Sequence, residues 1–530
     1  MNVITSKTKF HLLFCFILFY PLFFFGQNEI IVNTSQKVIG KNLETGNSLQ
    51  ANEFVFPDKI SDFFFDSISN VLTVKLRGPK SNGTFIKNAG LVIQYDLKNK
   101  KILWTEPVDY QESYLGVNHN SFIQIMGGKS FSLDVNTGAT LWGTKNALYF
   151  TDSRYKLGIG YKISSFSGTT DNLEGIDLTT GKRIWQREIS SQYGWNRVFY
   201  LNDSIIGIVA GGLHTVNLKN GKGWSYNAIT GLIDYTPSSV LNTVGIAAGL
   251  TFGILTGTFV FSTNSSLLSN LVSNVLINDS HFYFASKEKI SCLTVDGKIN
   301  WSYDLPEEYT SQSEIYIEDS ILYMINNGFA TFGNRQINYG IPYFAAFNKF
   351  TGKRIFYSSF NDKKNPIISI KNKKEFVFLA FKNKIIKCSK LDGSVILEKN
   401  FDTEMSGELD SIVEDSTCFL FDNNSFRNIV EQNSAKLCVY IGSNKILVLD
   451  DKLEVLLQLS DNQIYHQTLI NGDYKILSNN IESSIINKDK KEIARLVDIR
   501  KSVLVGNTLI SIIDNSLIVT DMTEFIKNKN

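Results

Sequence analysis

Residues 173–185 read LEGIDLTTGKRIW: alternating apolar and polar positions, an aspartate, a short Thr-Thr-Gly turn, and a second run that ends at Trp185. From aspartate to tryptophan it aligns without a gap with LVIQYDLKNKKILW, ending at Trp104, and SFSLDVNTGATLW, ending at Trp142. HTVNLKNGKGW, ending at Trp224, and SCLTVDGKINW, ending at Trp301, continue the series; FAAFNKFTGKRIF puts Phe356 in the tryptophan's place and CSKLDGSVIL puts Leu397 there. Five of the six tryptophans thus hold one position of one repeat, so their recurrence belongs to the architecture.

Each unit reads as a hairpin, because period-two alternation marks strands and the Asp, Asn, Thr and Gly residues between them mark a tight turn. Gly138, Gly181, Gly221, Gly297, Gly352 and Gly393 supply the positive φ that such a turn demands. A second hairpin precedes the first in several units, with turns NDSI at 202–205, NDSH at 278–281, EDSI at 318–321 and EDST at 414–417. Two hairpins per unit make a four-stranded antiparallel sheet. Such sheets, repeated every 40 to 50 residues or so, are the blades of a β-propeller, in which radial stacking buries both faces of each sheet. The expected fold is all-β: a single propeller over residues 27–530. Paired turns between Asp66 and Asp521 tally to roughly ten units, but eight blades are favoured because eight is the usual ceiling. The turn ETGNSL at 44–49 lacks a partner hairpin upstream, so it is expected to complete the last blade and close the ring.

The strand, aspartate, Thr-Gly-Lys turn and terminal tryptophan resemble the repeats of the PQQ-like quinoprotein propeller superfamily, most strongly over 91–301 and fading after Phe356. The resemblance implies that Trp104, Trp142, Trp185, Trp224 and Trp301 dock between neighbouring blades. Catalytic members hold the quinone against a pair of adjacent bonded cysteines and coordinate calcium, whereas here no two cysteines are adjacent. No cofactor and no metal site is therefore expected. The histidines (His11, His119, His214, His281, His466) are scattered without zinc spacing, and neither a nucleophile elbow nor a phosphate loop is present. Asp-Ser-apolar triplets such as Asp203-Ser204-Ile205 resemble an O-glycosylation acceptor pattern of exported proteins, although Asp-Ser also starts hairpin turns well.

Composition bounds the rest. In 530 residues, 43% hydrophobic, 53 Lys and Arg stand against 51 Asp and Glu, so a large core is available and no long-range attraction for nucleic acid exists. Residues 1–26 combine Lys7 and Lys9 with a phenylalanine-rich apolar run and a small residue at Gly26, which reads as a secretory signal peptide. An uncleaved anchor is the alternative, and Cys15 follows Phe14, a poor context for lipidation. Beyond the signal, Cys292, Cys388, Cys418 and Cys438 lie in strand-like stretches; buried thiols are favoured over bridges, with Cys418 and Cys438 the one pair to test.

One segment, 238–265, breaks the repeat. Its centre, VLNTVGIAAGLTFGILTGTFVF at 240–261, carries no charge and is long enough for a helix to cross a bilayer. Gly245, Gly249, Gly253 and Gly257 recur every fourth residue, which on a helix would line one face for close packing. Either it contacts a membrane, or it forms a buried loop or helical hairpin over the ring. The functional expectation is an exported, non-catalytic propeller with protein partners at a periplasmic or envelope membrane face, a class resembling the propeller lipoproteins of outer-membrane assembly. The competing expectation is a quinoprotein-type oxidoreductase, or a small-ligand binder, that uses the central funnel.

Overall fold

The computed structural model describes residues 30–523 with interruptions, the widest at 79–88, 234–256, 260–266, 402–407, 413–417 and 430–436. The signal reading of 1–26 and the residues Gly245, Gly249 and Gly253 lie outside the described residues.

The chain is a β-propeller. The unit at 146–188 shows how the sequence builds it: Asn146–Asp152, Leu157–Ser164, Gly168–Asp177 and Arg183–Glu188 pair consecutively and antiparallel, bringing Gly175 opposite Trp185. In the next unit Ile205–Val209 and Gly212–Asn217 are buried almost throughout, while outermost strands such as Arg183–Glu188 bury only alternate residues. This gradient follows from the stacking. The middle strands are covered on both faces and read as continuous apolar runs, whereas the fourth strand lies on the rim. First strands of neighbouring units lie against each other, as Ser369–Asn372 does against Leu409–Ile412, so they converge on the axis.

Ten such four-stranded units follow one another among the described residues: 60–109, 113–144, 146–188, 197–227, 276–304, 313–359, 369–400, 409–460, 464–497, and 501–521 together with 48–55. This number sits at the upper end of the sequence tally rather than at the favoured eight. An apolar cluster joins each unit to the next. Ile206 and Ile208 meet Leu173 and Trp185, for example, and the series closes where Ile510 and Leu517 pack on Leu72, Val74 and Ile93.

Closure uses the start of the chain. Ser48–Val55 pairs with Ser516–Asp521, placing Phe54 opposite Leu517, and so supplies the fourth strand of the last unit. Asn33–Asn42 then pairs on one side with Ser48–Val55 and on the other with Glu492–Val497, strapping the outer edges of two adjacent units together. Between the units at 197–227 and 276–304 the chain leaves the repeat while the two units stay packed together. Leu232–Ile233 and Leu267–Ser269 join a hairpin, Phe329–Phe332 with Arg335–Asn338, that the unit at 313–359 sends out between its second and third strands. Leu268, Leu271, Ala330 and Ile337 form the core of this auxiliary sheet. Gly257, placed by the helical reading on a packing face, instead opens the strand Gly257–Phe259, which pairs with residues 150–152 as a fifth strand of that unit. The edge of an existing sheet offers backbone partners that an isolated helix turn would lack.

Truncating residues 30–55 removes the buried Ile39, Leu49 and Phe54 together with both closing strands. The truncation should cost roughly 5 kcal/mol or more at about 1.5–3 kcal/mol per buried side chain. Deleting 238–265 should cost far less. Urea unfolding compares the two, and equal midpoints for the truncated and intact chains would show that closure contributes no stability.

Candidate functional site

The repeated tryptophans and glycines form one recurring contact. Each indole projects from a fourth strand or, for Trp224, from the residue just before it, and its Nε1–H donates to a backbone carbonyl in the turn of the following unit: Trp104 to Val135 at 2.6 Å, Trp142 to Leu178 at 2.8 Å, Trp185 to Leu218 at 2.9 Å, Trp224 to Val295 at 2.8 Å and Trp301 to Lys349 at 2.9 Å. Over each ring sits the glycine of that same turn. Gly138, Gly181, Gly221, Gly297 and Gly352 all have φ between 69° and 80°. A Cβ on Gly221 would lie 2.7 Å from the Trp185 ring, and one on Gly297 only 2.4 Å from that of Trp224. Gly393 covers Phe356 in the same way. The glycine is thus required twice, by the left-handed backbone and by the flat approach of the ring.

The turn is prepared by its aspartate. The Asp134 carboxylate accepts the Thr137 hydroxyl and the Thr137 and Asn136 amides, and these hydrogen bonds hold it below the usual carboxylate range. Trp224 reaches the turn of 276–304 across the whole insertion, so the contact continues where the sequence spacing nearly doubles. The sixth tryptophan stands outside the repeat. Trp195 donates to the Tyr161 hydroxyl at 3.1 Å and packs edge-on to Tyr149, a contact that no sequence periodicity announces.

Among the described residues no cluster of three or more His, Cys, Asp or Glu side chains is arranged to hold a metal ion. Cys292, Cys388 and Cys438 are buried in three different units, a set that does not fit the paired-cysteine seat of a quinone; the Cys418 side chain lies outside the described residues. His281 is half-buried with Nδ1 2.8 Å from the Asp279 carbonyl, and His466 meets the Tyr440 hydroxyl. His214 is buried, with Nε2 2.8 Å from the Ala210 carbonyl, and burial depresses its pKa to about 4.

What the sequence did not mark is a cleft of about 350 Å³ beside the auxiliary sheet. Its walls are Asn196 and Arg197 at the start of one unit, Asn270 and Val272 to Asn274 leading into the next, and Gln312 to Tyr316 opening the unit after that. Asn274 is fully engaged, its Oδ1 accepting the Ile315 amide at 2.7 Å and its Nδ2 donating to the Ile315 carbonyl at 2.9 Å. Asn270, at φ 62°, donates its amide to Asn196 Oδ1 at 2.8 Å and its Nδ2 to Thr331 Oγ1 at 2.9 Å, so the wall is tied to the auxiliary sheet. Arg197 and Glu314 both line this cleft. Arg197 is half-buried, which lowers its guanidinium's pKa against the opposing pull of the Glu314 charge, and Glu314 itself is exposed at the mouth of the cleft.

No family model and no curated protein matches the chain. Among solved structures it is similar to BamB from Moraxella catarrhalis (12% identity, covering 74% of this chain and 97% of that chain, TM-score 0.33). It is similar also to quinohemoprotein alcohol dehydrogenase from Comamonas testosteroni (9%, 72% and 77%, 0.32) and to Sqt1 from Saccharomyces cerevisiae (10%, 71% and 96%, 0.32). At these identities the likeness concerns the fold.

Trp185→Ala should destabilise the protein by about 3–5 kcal/mol in urea unfolding, as large aromatic truncations in cores do. Gly221→Ala should cost about 1–2 kcal/mol from its backbone alone, and more through the Trp185 ring. In the double variant the ring's share should vanish, giving a coupling of about 1 kcal/mol; strictly additive losses would separate the two residues. His214 gives a pH test. Its folded pKa lies below that of the unfolded chain, so stability is complete above about pH 6.5 and falls towards pH 4, by roughly 3 kcal/mol for this group. His214→Gln should flatten that slope, and an unchanged slope would mean that His214 is protonated in the folded state.

Proposed function

We propose that this chain is an exported, non-catalytic propeller that serves as a platform for protein partners, and that its outermost strands are the contact surface. The observation that carries this reading is an accomplished case. The outer edge at Glu492–Val497 already accepts an added antiparallel strand, Asn33–Asn42, with Lys41 opposite Arg495. Other outer strands present the same geometry to solvent. Strand alternation turns the docking residue inward and its predecessor outward, leaving Leu141, Ile184, Ile355, Ile396 and Leu456 each about half exposed beside Trp142, Trp185, Phe356, Leu397 and Leu457. A single exposed aliphatic is ordinary, but one at the same rim position in five of the ten units, next to unpaired backbone groups, supports strand addition by extended partner segments.

The address in this proposal rests on residues 1–26, and contact with a membrane face on 240–261; among the described residues no helix is long and apolar enough to cross a membrane. A ligand-binding role for the funnel is the second reading, favoured by the cleft at Arg197.

A photo-crosslinking residue placed at Leu141 or Ile396 in cells should yield the same discrete protein adducts from both positions. Adducts should weaken when Ile184 and Ile355 are replaced by lysine, changes that should alter stability by no more than about 0.5 kcal/mol. Rim positions that stay adduct-free, while a probe at Gln312 captures protein, would overturn the rim as the contact surface. Deleting 238–265 should move the protein from the membrane fraction to the soluble fraction. Retention on the membrane would assign anchoring to the N-terminal segment.

A further inference from the structure

The cleft holds polar groups that the ring does not use. The side chains of Arg197 and Glu314 take part in no hydrogen bond and no close ion pair among the described residues, although each senses the other's charge. Two further residues that line the cleft each carry a donor that lacks a partner. Asn196 is 7% exposed and its Nδ2 is unpaired, as is the shielded Tyr316 hydroxyl. The amide orientation of Asn196 is set by its surroundings, since Oδ1 accepts from Asn270 and only Nδ2 is left over. A half-buried guanidinium that the protein gives no acceptor loses part of its solvation, and an anionic ligand group would restore what the protein does not supply.

The charges select the ligand. A phosphate or other dianion would satisfy Arg197 but face the Glu314 carboxylate, and a simple cation would meet the converse repulsion. A neutral sugar would leave the guanidinium without an anionic partner. A molecule carrying one carboxylate and one ammonium answers both walls, and about 350 Å³ lies at the small end of ligand sites, which run from about 300 to 1,000 Å³. We infer that this cleft binds a small zwitterion of the amino-acid or dipeptide type, its carboxylate on Arg197 and its ammonium on Glu314. The Asn270 amide and the paired bonds of Asn274 hold the third wall, so the insertion and its auxiliary sheet complete the site.

The test uses the purified full chain, with the common L-amino acids and L-alanyl-L-alanine screened by thermal shift and then by calorimetry. At least one of these probes should bind. Amidation of its carboxylate, or acetylation of its amine, should each weaken binding roughly ten- to hundredfold, as expected when a charged hydrogen bond is lost. Arg197→Gln should abolish discrimination between the acid and its amide, and Glu314→Gln that between the amine and its acetyl form, with both variants melting as the parent does. If Arg197→Gln fails to fold, Arg197→Lys retains the charge but loses the fork, and its intermediate affinity serves the same comparison. Binding of no probe at millimolar concentration, or equal binding of parent, amide and acetyl forms, overturns the inference. The rim crosslinks are read out separately, so failure here leaves the platform reading to its own test.

Discussion

One contact, an indole N–H donated to the carbonyl of the next unit's turn beneath a left-handed glycine, sets the geometry of the ring. It ties the outermost strand of one sheet to the hairpin of its neighbour, and thereby fixes both the spacing between units and their rotation about the axis. The hydrogen bond satisfies the only polar atom of a large apolar ring, which can then be buried without the penalty of an unpaired donor. The glycine contributes an absence. With no Cβ it lets the ring lie flat against the backbone, and it occupies a region of φ that other residues enter at a cost.

A chain of such contacts needs an ending, and the first described strands supply it. Ser48–Val55 completes the last sheet with a strand from the opposite end of the sequence, which makes closure a non-local event. Asn33–Asn42 reinforces it by bridging two neighbouring rims. The later units carry no tryptophan at the docking position and are joined by apolar clusters together with polar bridges such as Lys390 to Glu318 at 2.6 Å: Leu457 lies with Ile446, Val448 and Ile464 where Trp185 would lie among isoleucines. The ring is thus latched by tryptophans along its first half, packed without them along its second, and strapped across its last two units.

The insertion changes what this scaffold can do. By leaving the ring between two units and meeting a hairpin from a third, it builds a sheet outside the repeat and a cleft beside it. Rim and cleft are different kinds of surface. The rim carries exposed aliphatic side chains beside open backbone edges, suited to extended segments; the cleft is charged, open to solvent at Glu314, and of a size suited to a small molecule. Because the latch from Trp224 spans the insertion, the ring's continuity does not depend on the cleft, and the two surfaces can be altered independently.

The amino-acid sequence by itself determined the four-stranded unit, its turns, the docking tryptophans and the place of the insertion, because each is a local pattern: alternation of period two, a glycine at a fixed offset from an aspartate, an aromatic at a fixed distance beyond. It also marked 44–49 as a hairpin without a partner. Tertiary structure decided what locality does not encode. Glycines at every fourth position suggested a helix, yet Gly257 lies in a strand because the edge at 150–152 offered it backbone partners. Arg197 and Glu314 belong to separate units and carry no motif, so only the stacking of first strands around the axis brings their charges into one cleft. Sequence patterns report the bonds a segment makes with its own neighbours; a site assembled across the ring depends on side chains whose proximity arises only when the ring has closed.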